Sequence, residues 1–409
     1  MIEMVNIHTV WIFLLGISVI ASGLIEASFK RLKIPALVGY LLMGMVMSLI
    51  NTRWSLLSEP VRNGFSFLAD IGVITLLFKV GLQSHPDALA RKLPQALIVW
   101  LGDVSGSAAL GFVASYYLLE LQIIPSLIIA IALTATSVGV SVAAWQDSKA
   151  LASDNGQLLL DVAELDDISA IALMALLFAL IPILHQDHTT MLSALGITGT
   201  AFIAKFLFFL GLCYLFSRYL EPRLTHFTTR LEPAPQRMLT VIGVGFIIAA
   251  FANWLGFSLA IGALFAGLVF SRDPEAVKTE RSFKDIYAFV TPFFFINIGL
   301  NVTPDYVISG AGLGAVLLIA AAIGKFMGAG CPALLTSGLT GAALIGVSMV
   351  PRAEIAMVII HQAQQIGDWA MPKQVYAAMV FVSMMTCLGA PWILYRLLQH
   401  WPQTAKEQT

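Results

Sequence analysis

The sequence predicts an all-α polytopic membrane protein with about thirteen transmembrane helices. Three observations lead there: an apolar excess too large for a soluble core, apolar runs of bilayer-spanning length, and a one-sided distribution of basic residues. Hydrophobic residues make up 58% of the 409 and charged ones only 11%, with a mean hydropathy of +0.85. A soluble domain carries about 25% charged residues, so the bilayer must be the solvent for much of this surface.

The apolar runs, split by Pro, Gly or charged clusters, cover 9–29, 35–50, 64–82, 94–118, 124–146, 156–183 and 193–217. After a polar loop they continue over 238–254, 256–271, 285–300, 307–330, 338–361 and 375–398. The first is too long for a signal-peptide core and has no small-residue cleavage site before Lys30 and Arg31, so it is read as a retained helix. The divide between the eighth and ninth rests on Trp254–Gly256 alone. Cys213, Cys331 and Cys387 lie far apart inside apolar stretches and are read as packing residues, with no disulfide or metal spacing.

Orientation follows from Lys and Arg. With the N-terminus outside, sixteen of the 23 basic residues fall in cytoplasmic loops, three outside (Arg53, Arg62, Lys373) and four within segments (Lys79, Lys205, Lys325, Arg352). That asymmetry obeys the positive-inside rule, and an odd helix count then leaves the C-terminus inside. Such a chain fits two inverted six-helix repeats joined by the seventh helix. The fifth and twelfth segments correspond in that scheme, and both carry polar interruptions: Thr134-Ala-Thr-Ser-Val-Gly139 and Gly346-Val-Ser-Met-Val-Pro-Arg-Ala-Glu354.

Charge inside a membrane is expensive and is read as functional by default. The densest cluster is Asp161-Val-Ala-Glu-Leu-Asp-Asp167 in the sixth segment. At 1.5 Å per residue Asp166 lies ~14 Å from the cytoplasmic end, and Lys325 of the eleventh segment ~15 Å from the same side. A buried amine opposite a buried acid reduces the cost of both. Adjacent Asp166 and Asp167 point about 100° apart on a helix, so one can face an ion while the other faces Lys325. A carboxylate there accepts a proton or a hard cation, not both. Burial makes ionisation costly and the opposite charge offsets it, so either ligand can settle the balance.

At the interrupted segments, freed backbone carbonyls and half-helix ends supply partial charges. Thr134, Thr136 and Ser137 add hydroxyls, and Pro351 gives the second break a mechanical cause. Arg352 and Glu354 can neutralise the half-helix ends or cap them locally. Glu26 and Lys79 near cytoplasmic ends, and Asp70 near the outer end of the third segment, are read as interfacial. Glu164 is assigned to the cytoplasmic mouth. Asp103 is either a helix-packing partner or part of a cation pathway, and Lys205 has no evident role. Pro292-Phe-Phe-Phe295 reads as packing or lipid contact.

Five motifs carry a family resemblance: Leu68-Ala-Asp-Ile-Gly-Val-Ile-Thr-Leu-Leu-Phe78 with Gly81-Leu-Gln83, Thr134–Gly139, Leu165-Asp-Asp-Ile168, Pro292–Phe295 and Val350-Pro-Arg-Ala-Glu354. In that order the chain resembles the monovalent cation/proton antiporter superfamily. The similar branch holds bacterial sodium/proton antiporters and glutathione-gated potassium efflux systems. The resemblance implies crossed broken helices and a core (93–184 and 305–400) moving against a dimerisation scaffold (1–92 and 238–304). A linker over 185–237 and a short tail, 401–409, complete the division. It implies that Asp167, with Thr136 oxygens, is the Na+ ligand, and that Asp166 pairs with Lys325 when no ion is bound. Two aspartates with a core lysine resemble electrogenic members that exchange two protons per cation. Asp166, where gated potassium members carry Gln, favours sodium. Gln83, Ala353 and Lys79 depart from the usual pattern.

The expected function is therefore secondary sodium (or lithium)/proton antiport by alternating access, for pH homeostasis. The setting is a bacterial-type inner membrane, with the protein a homodimer, no cofactor and no nucleic-acid partner. No phosphate-binding Gly-x-x-x-x-Gly-Lys-Ser/Thr loop occurs, and no nucleophile–base pair suggests an enzyme. The rivals are potassium/proton antiport, sodium-coupled organic anion symport, and a non-transporting sensor on the same scaffold.

Overall fold

The computed structural model describes residues 7–55, 57–83, 94–185, 204–224, 226, 237–271 and 274–403. The start of the seventh expected segment, most of the loop before Arg237, Arg91, Lys92, the Gln83 side chain and the tail from 404 lie outside them. The described residues are helical and include no strand. In order, the helices are α1 (Ile7–Leu32), α2 (Ala36–Trp54), α3 (Glu59–Gln83), α4 (Pro94–Val113), α5 (Ile123–Ala132), α6 (Val138–Asp147) and α7 (Asp154–His185). Then come α8 (204–224), α9 (Arg237–Trp254), α10 (Leu259–Phe270), α11 (Pro274–Leu300) and α12 (Pro304–Ser309). The last three are α13 (Ala311–Ser348), α14 (Glu354–Ile366) and α15 (Lys373–His400). Among the described residues, seven are long and apolar enough to cross a membrane: α1, α2, α3, α4 with its π-helical continuation to Leu118, the Phe283–Leu300 part of α11, α13 and α15.

Local sequence explains the stops. Gly256, at φ +96°, ends α9 in a conformation open to glycine, and Ser258 then caps α10 by accepting from the Ile261 amide at 3.3 Å. Gly338, at φ +65° and ψ −174°, breaks the helical backbone, so α13 is two helices that meet at a kink there. The expected eleventh segment thus continues helically past 330 as far as this kink, which falls where the expected twelfth segment begins. The fifth segment is split into α5 and α6, and the second half of α13 is separated from α14 at 349–353, where Pro351 lies.

The chain divides into two compact units. One comprises Met1–Gly23, Arg53–Pro86 and Ala175–Asn297; the other comprises Leu24–Thr52, Asp87–Met174 and Ile298–Thr409. In the first, α3 lies against α10, with an added Cβ at Gly267 reaching 2.7 Å from the Leu82 amide nitrogen. Lys79 finds its partner here: its ammonium stands 4.2 Å from the Tyr287 ring centre, a cation–π contact. Because α3 starts at Glu59, Asp70 is in mid-helix and exposed, not near an end as expected. Lys205 on α8 is likewise exposed.

In the second unit α4 packs closely along α13. Gly102 and Gly106 of α4 face Gly324 and Gly328 of α13, each pair four residues apart. A Cβ at Gly102 would sit 2.6 Å from the Gly328 carbonyl oxygen, and one at Gly328 would sit 2.8 Å from that of Gly102. This is the small-xxx-small contact by which membrane helices gain dispersion energy without a hydrophobic drive. Cys213 and Cys387 are buried as expected; Cys331 is exposed, on an outward face of α13 where apolar surroundings in sequence are no guide to packing.

A tether closes one end of this unit. Tyr395 of α15 donates to Asp147 at 2.8 Å, and Lys33, after α1, pairs with the same carboxylate at 3.1 Å. The Tyr395 hydrogen bond, then that of Lys33, holds the Asp147 carboxyl below its usual range. A lowered native pKa gives stability that is complete above the unfolded value of about 3.9 and is lost as pH falls through the native one. Lys33→Gln should therefore lower the melting temperature slightly and equally from about pH 5 to ~8. The gap to wild type should close only below about pH 4, as read by thermal unfolding in detergent.

Candidate functional site

The site grows from the two helix breaks and the α4–α13 contact, all within the second unit. Each break frees carbonyls at the end of one half-helix and amides at the start of the next. Ser137, just before α6, donates its amide to the Pro351 carbonyl at 2.8 Å and its hydroxyl to Glu354 at 2.7 Å. Ser141 donates to the Ser348 carbonyl at 2.6 Å, and Trp145 Nε1 to the Ser348 hydroxyl at 2.9 Å. The breaks thereby hold one another.

Arg352, only 1% exposed, directs Nη1 to the carbonyls of Ala135 (2.8 Å) and Met349 (3.2 Å). A guanidinium there meets the negative ends of both interrupted segments, and Glu354 in the first turn of α14 meets a positive one. The Arg352 carbonyl is itself held by Ser383 at 2.6 Å.

Thr134 bonds locally, its hydroxyl donating to Ile131 at 2.7 Å at the end of α5. Thr136 is buried; its hydroxyl donates to the Met349 carbonyl at 3.4 Å, with Arg352 Nη1 at 3.5 Å. Both distances exceed a good hydrogen bond, so this hydroxyl is weakly engaged. No hydrogen bond joins it to Asp167.

The acids lie on α7. Asp166 is fully buried, and its two oxygens accept from the Lys325 ammonium at 3.2 and 3.1 Å. Asp167, one residue on, is half-buried and takes no hydrogen bond or ion pair from the described residues. The charges that bear on it are those of Asp166, Glu354 and Glu164 against the single ammonium of Lys325. The pairing of Asp166 with Lys325 agrees with their matched depths in the sequence.

One member of the cluster was only half anticipated. Asp103 of α4, fully buried, forms a second ion pair with Lys325, so one ammonium is shared by acids from two helices. The signal was in the sequence: Gly102-Asp-Val-Ser-Gly106 and Gly324-Lys-Phe-Met-Gly328 each place the charge directly after the first glycine of a close-packing motif.

The chain is similar to known cation/proton antiporters. Residues 16–400 match the family described as sodium/hydrogen exchanger, transmembrane. The high-affinity Na+/H+ antiporter NhaS3 of Synechocystis sp. is 28% identical over 80% of this chain and 70% of its own. The Na+/H+-K+ antiporter GerN of Bacillus cereus is 27% identical over 89% of this chain and 90% of its own. The fold is that of the sodium proton antiporter MjNhaP1 from Methanocaldococcus jannaschii, with a TM-score of 0.62 at 14% identity over 96% of both chains. The protein is thus a multi-pass, membrane-embedded transporter and not an enzyme. With the family match spanning nearly all of its length, the chain belongs to the sodium/hydrogen exchanger family.

Proposed function

We propose that the chain exchanges sodium, or lithium, for protons by alternating access, with the two ligands competing at Asp166 and Asp167. One observation carries the reading: Lys325 occupies Asp166, while the adjacent Asp167 is left without a hydrogen-bond partner among negative neighbours. Sodium binds Asp167 with Thr136 oxygen in place of the long bond to Met349; protons take the carboxylates on the return step. Thr134, Ser137, Arg352 and Glu354 support the breaks. Exchange is electrogenic, more than one proton moving per cation, because two carboxylates and an amine share the site. No cofactor enters.

The moving core is 93–184 with 305–400, and the scaffold is 1–92 with 238–304, joined by 185–237 and followed by the tail 401–409. In support, both breaks and all three charged partners fall within one compact unit. Thirteen membrane crossings in two inverted repeats, N-out and C-in, follow from the basic-residue asymmetry and the matched interruptions. The protein works as a homodimer in an inner membrane. A second reading, potassium/proton antiport, is supported by the similarity to GerN, a Na+/H+-K+ antiporter, while the departures at Gln83, Ala353 and Lys79 leave the choice of ion to experiment.

Proteoliposomes loaded with a pH-sensitive dye test the proposal. Sodium and lithium should collapse an imposed pH gradient at a rate that depends on membrane potential. Collapse by potassium alone would favour the second reading, and collapse by no cation would end both.

A further inference from the structure

The ammonium of Lys325 is shared by two acids: it donates to Asp103 Oδ2 and to both oxygens of Asp166. The arrangement is unequal in what it leaves over. Both Asp166 oxygens are occupied, whereas Asp103 Oδ1 is buried with no hydrogen-bond partner in the described residues. Asp103 therefore has an unused acceptor beside an amine that shares its other oxygen.

In the exchange cycle proposed above, a cation near Asp167 competes with Lys325 for the adjacent Asp166. If Asp166 were the only partner, releasing it would strand a fully buried ammonium without a counter-charge. The α4–α13 glycine contact removes that obstacle, because it holds Asp103 against Lys325 independently of α7.

We infer that Asp103 is a positioning residue for exchange: it is the standing partner of Lys325 and keeps the ammonium paired when Asp166 turns to the cation. Asp166 is the exchangeable partner. When Asp166 turns to the cation, Asp103 with Lys325 and Asp166 with the cation form two pairs of opposite charge, so the ammonium keeps a partner. Asp103 acts on cation affinity through Lys325 and touches no transported ion. The inference rests on the reading of Asp166 and Asp167 as the exchange site.

The test uses the detergent-purified full chain, with sodium binding read from the sodium concentration that gives half-maximal thermal stabilisation. Asp103→Asn leaves Lys325 with Asp166 alone, so that midpoint should rise about tenfold or more, and Asp103→Glu should recover most of it. A merely structural Asp103 would lower the melting temperature with the midpoint unchanged, and that result overturns the inference. Should Asp103→Asn fail to fold, Asp103→Asn with Lys325→Gln removes both charges and is compared with Lys325→Gln alone. Equal midpoints are expected, since Asp103 acts only through the amine; a further shift in the double variant overturns the inference. Asp167→Asn separates the two layers. It should abolish sodium stabilisation; if it does not, the exchange-site reading fails and this inference with it.

Discussion

Asp167→Asn should abolish sodium-driven proton exchange, lowering the rate at least about a hundredfold, or ~2.7 kcal/mol in the barrier. Asparagine keeps the shape and one carbonyl oxygen but loses both the charge that attracts sodium and the oxygen that takes a proton. Of the neighbouring acids, Asp166 is occupied by Lys325, Glu354 accepts from Ser137, and Glu164 lies a turn earlier on the same helix. Flux in proteoliposomes, normalised to incorporated protein, is the measurement. Asp368→Asn is the control, since that carboxylate is 67% exposed and pairs with Lys373 only at 3.7 Å; it should stay within about twofold of wild type. Cation-driven flux surviving in Asp167→Asn would remove the assigned site.

Lys325→Met should cost more stability than any other single change in the cluster. It leaves Asp103 and Asp166, both fully buried, without their shared counter-charge. Removing one partner of a buried pair costs about 3–5 kcal/mol, and here two acids lose theirs. Unfolding of a large membrane protein is commonly irreversible, so the effect is to be read as the temperature at which half the protein stays monodisperse after a fixed incubation. Adding Asp103→Asn and Asp166→Asn to Lys325→Met should recover much of the loss, because neutral groups have less to desolvate. A Lys325→Met protein as stable as wild type would mean that the three charges do not form one buried cluster.

Much of this was legible in the sequence. The runs between Pro, Gly and charge gave the helices, and Trp254–Gly256 marked a real turn because only a permissive residue adopts the conformation seen there. Matching depths brought Asp166 and Lys325 together, since rise per residue is fixed by helix geometry. Rotation about the helix axis was not legible in that way. Depth alone could not tell whether Asp103 faced lipid, a pathway or Lys325; glycine spacing on both helices decides it. The same limit applies to Cys331, whose apolar neighbours in sequence say nothing of which face it occupies, and to Lys79, whose partner Tyr287 is remote in the chain. Helix ends were the other gap. The third helix begins before its apolar run does, and this moves Asp70 from the end to the middle.

Competition between sodium and hydrogen ions for one pair of acids can be watched directly. Purified protein in a weakly buffered detergent solution, near neutral pH, is titrated with sodium chloride while released protons are followed with a pH indicator, choline chloride serving as the blank. The wild type should release protons saturably and Asp167→Asn should release none. Equal release from both proteins, or sodium binding with no release at all, would contradict that competition.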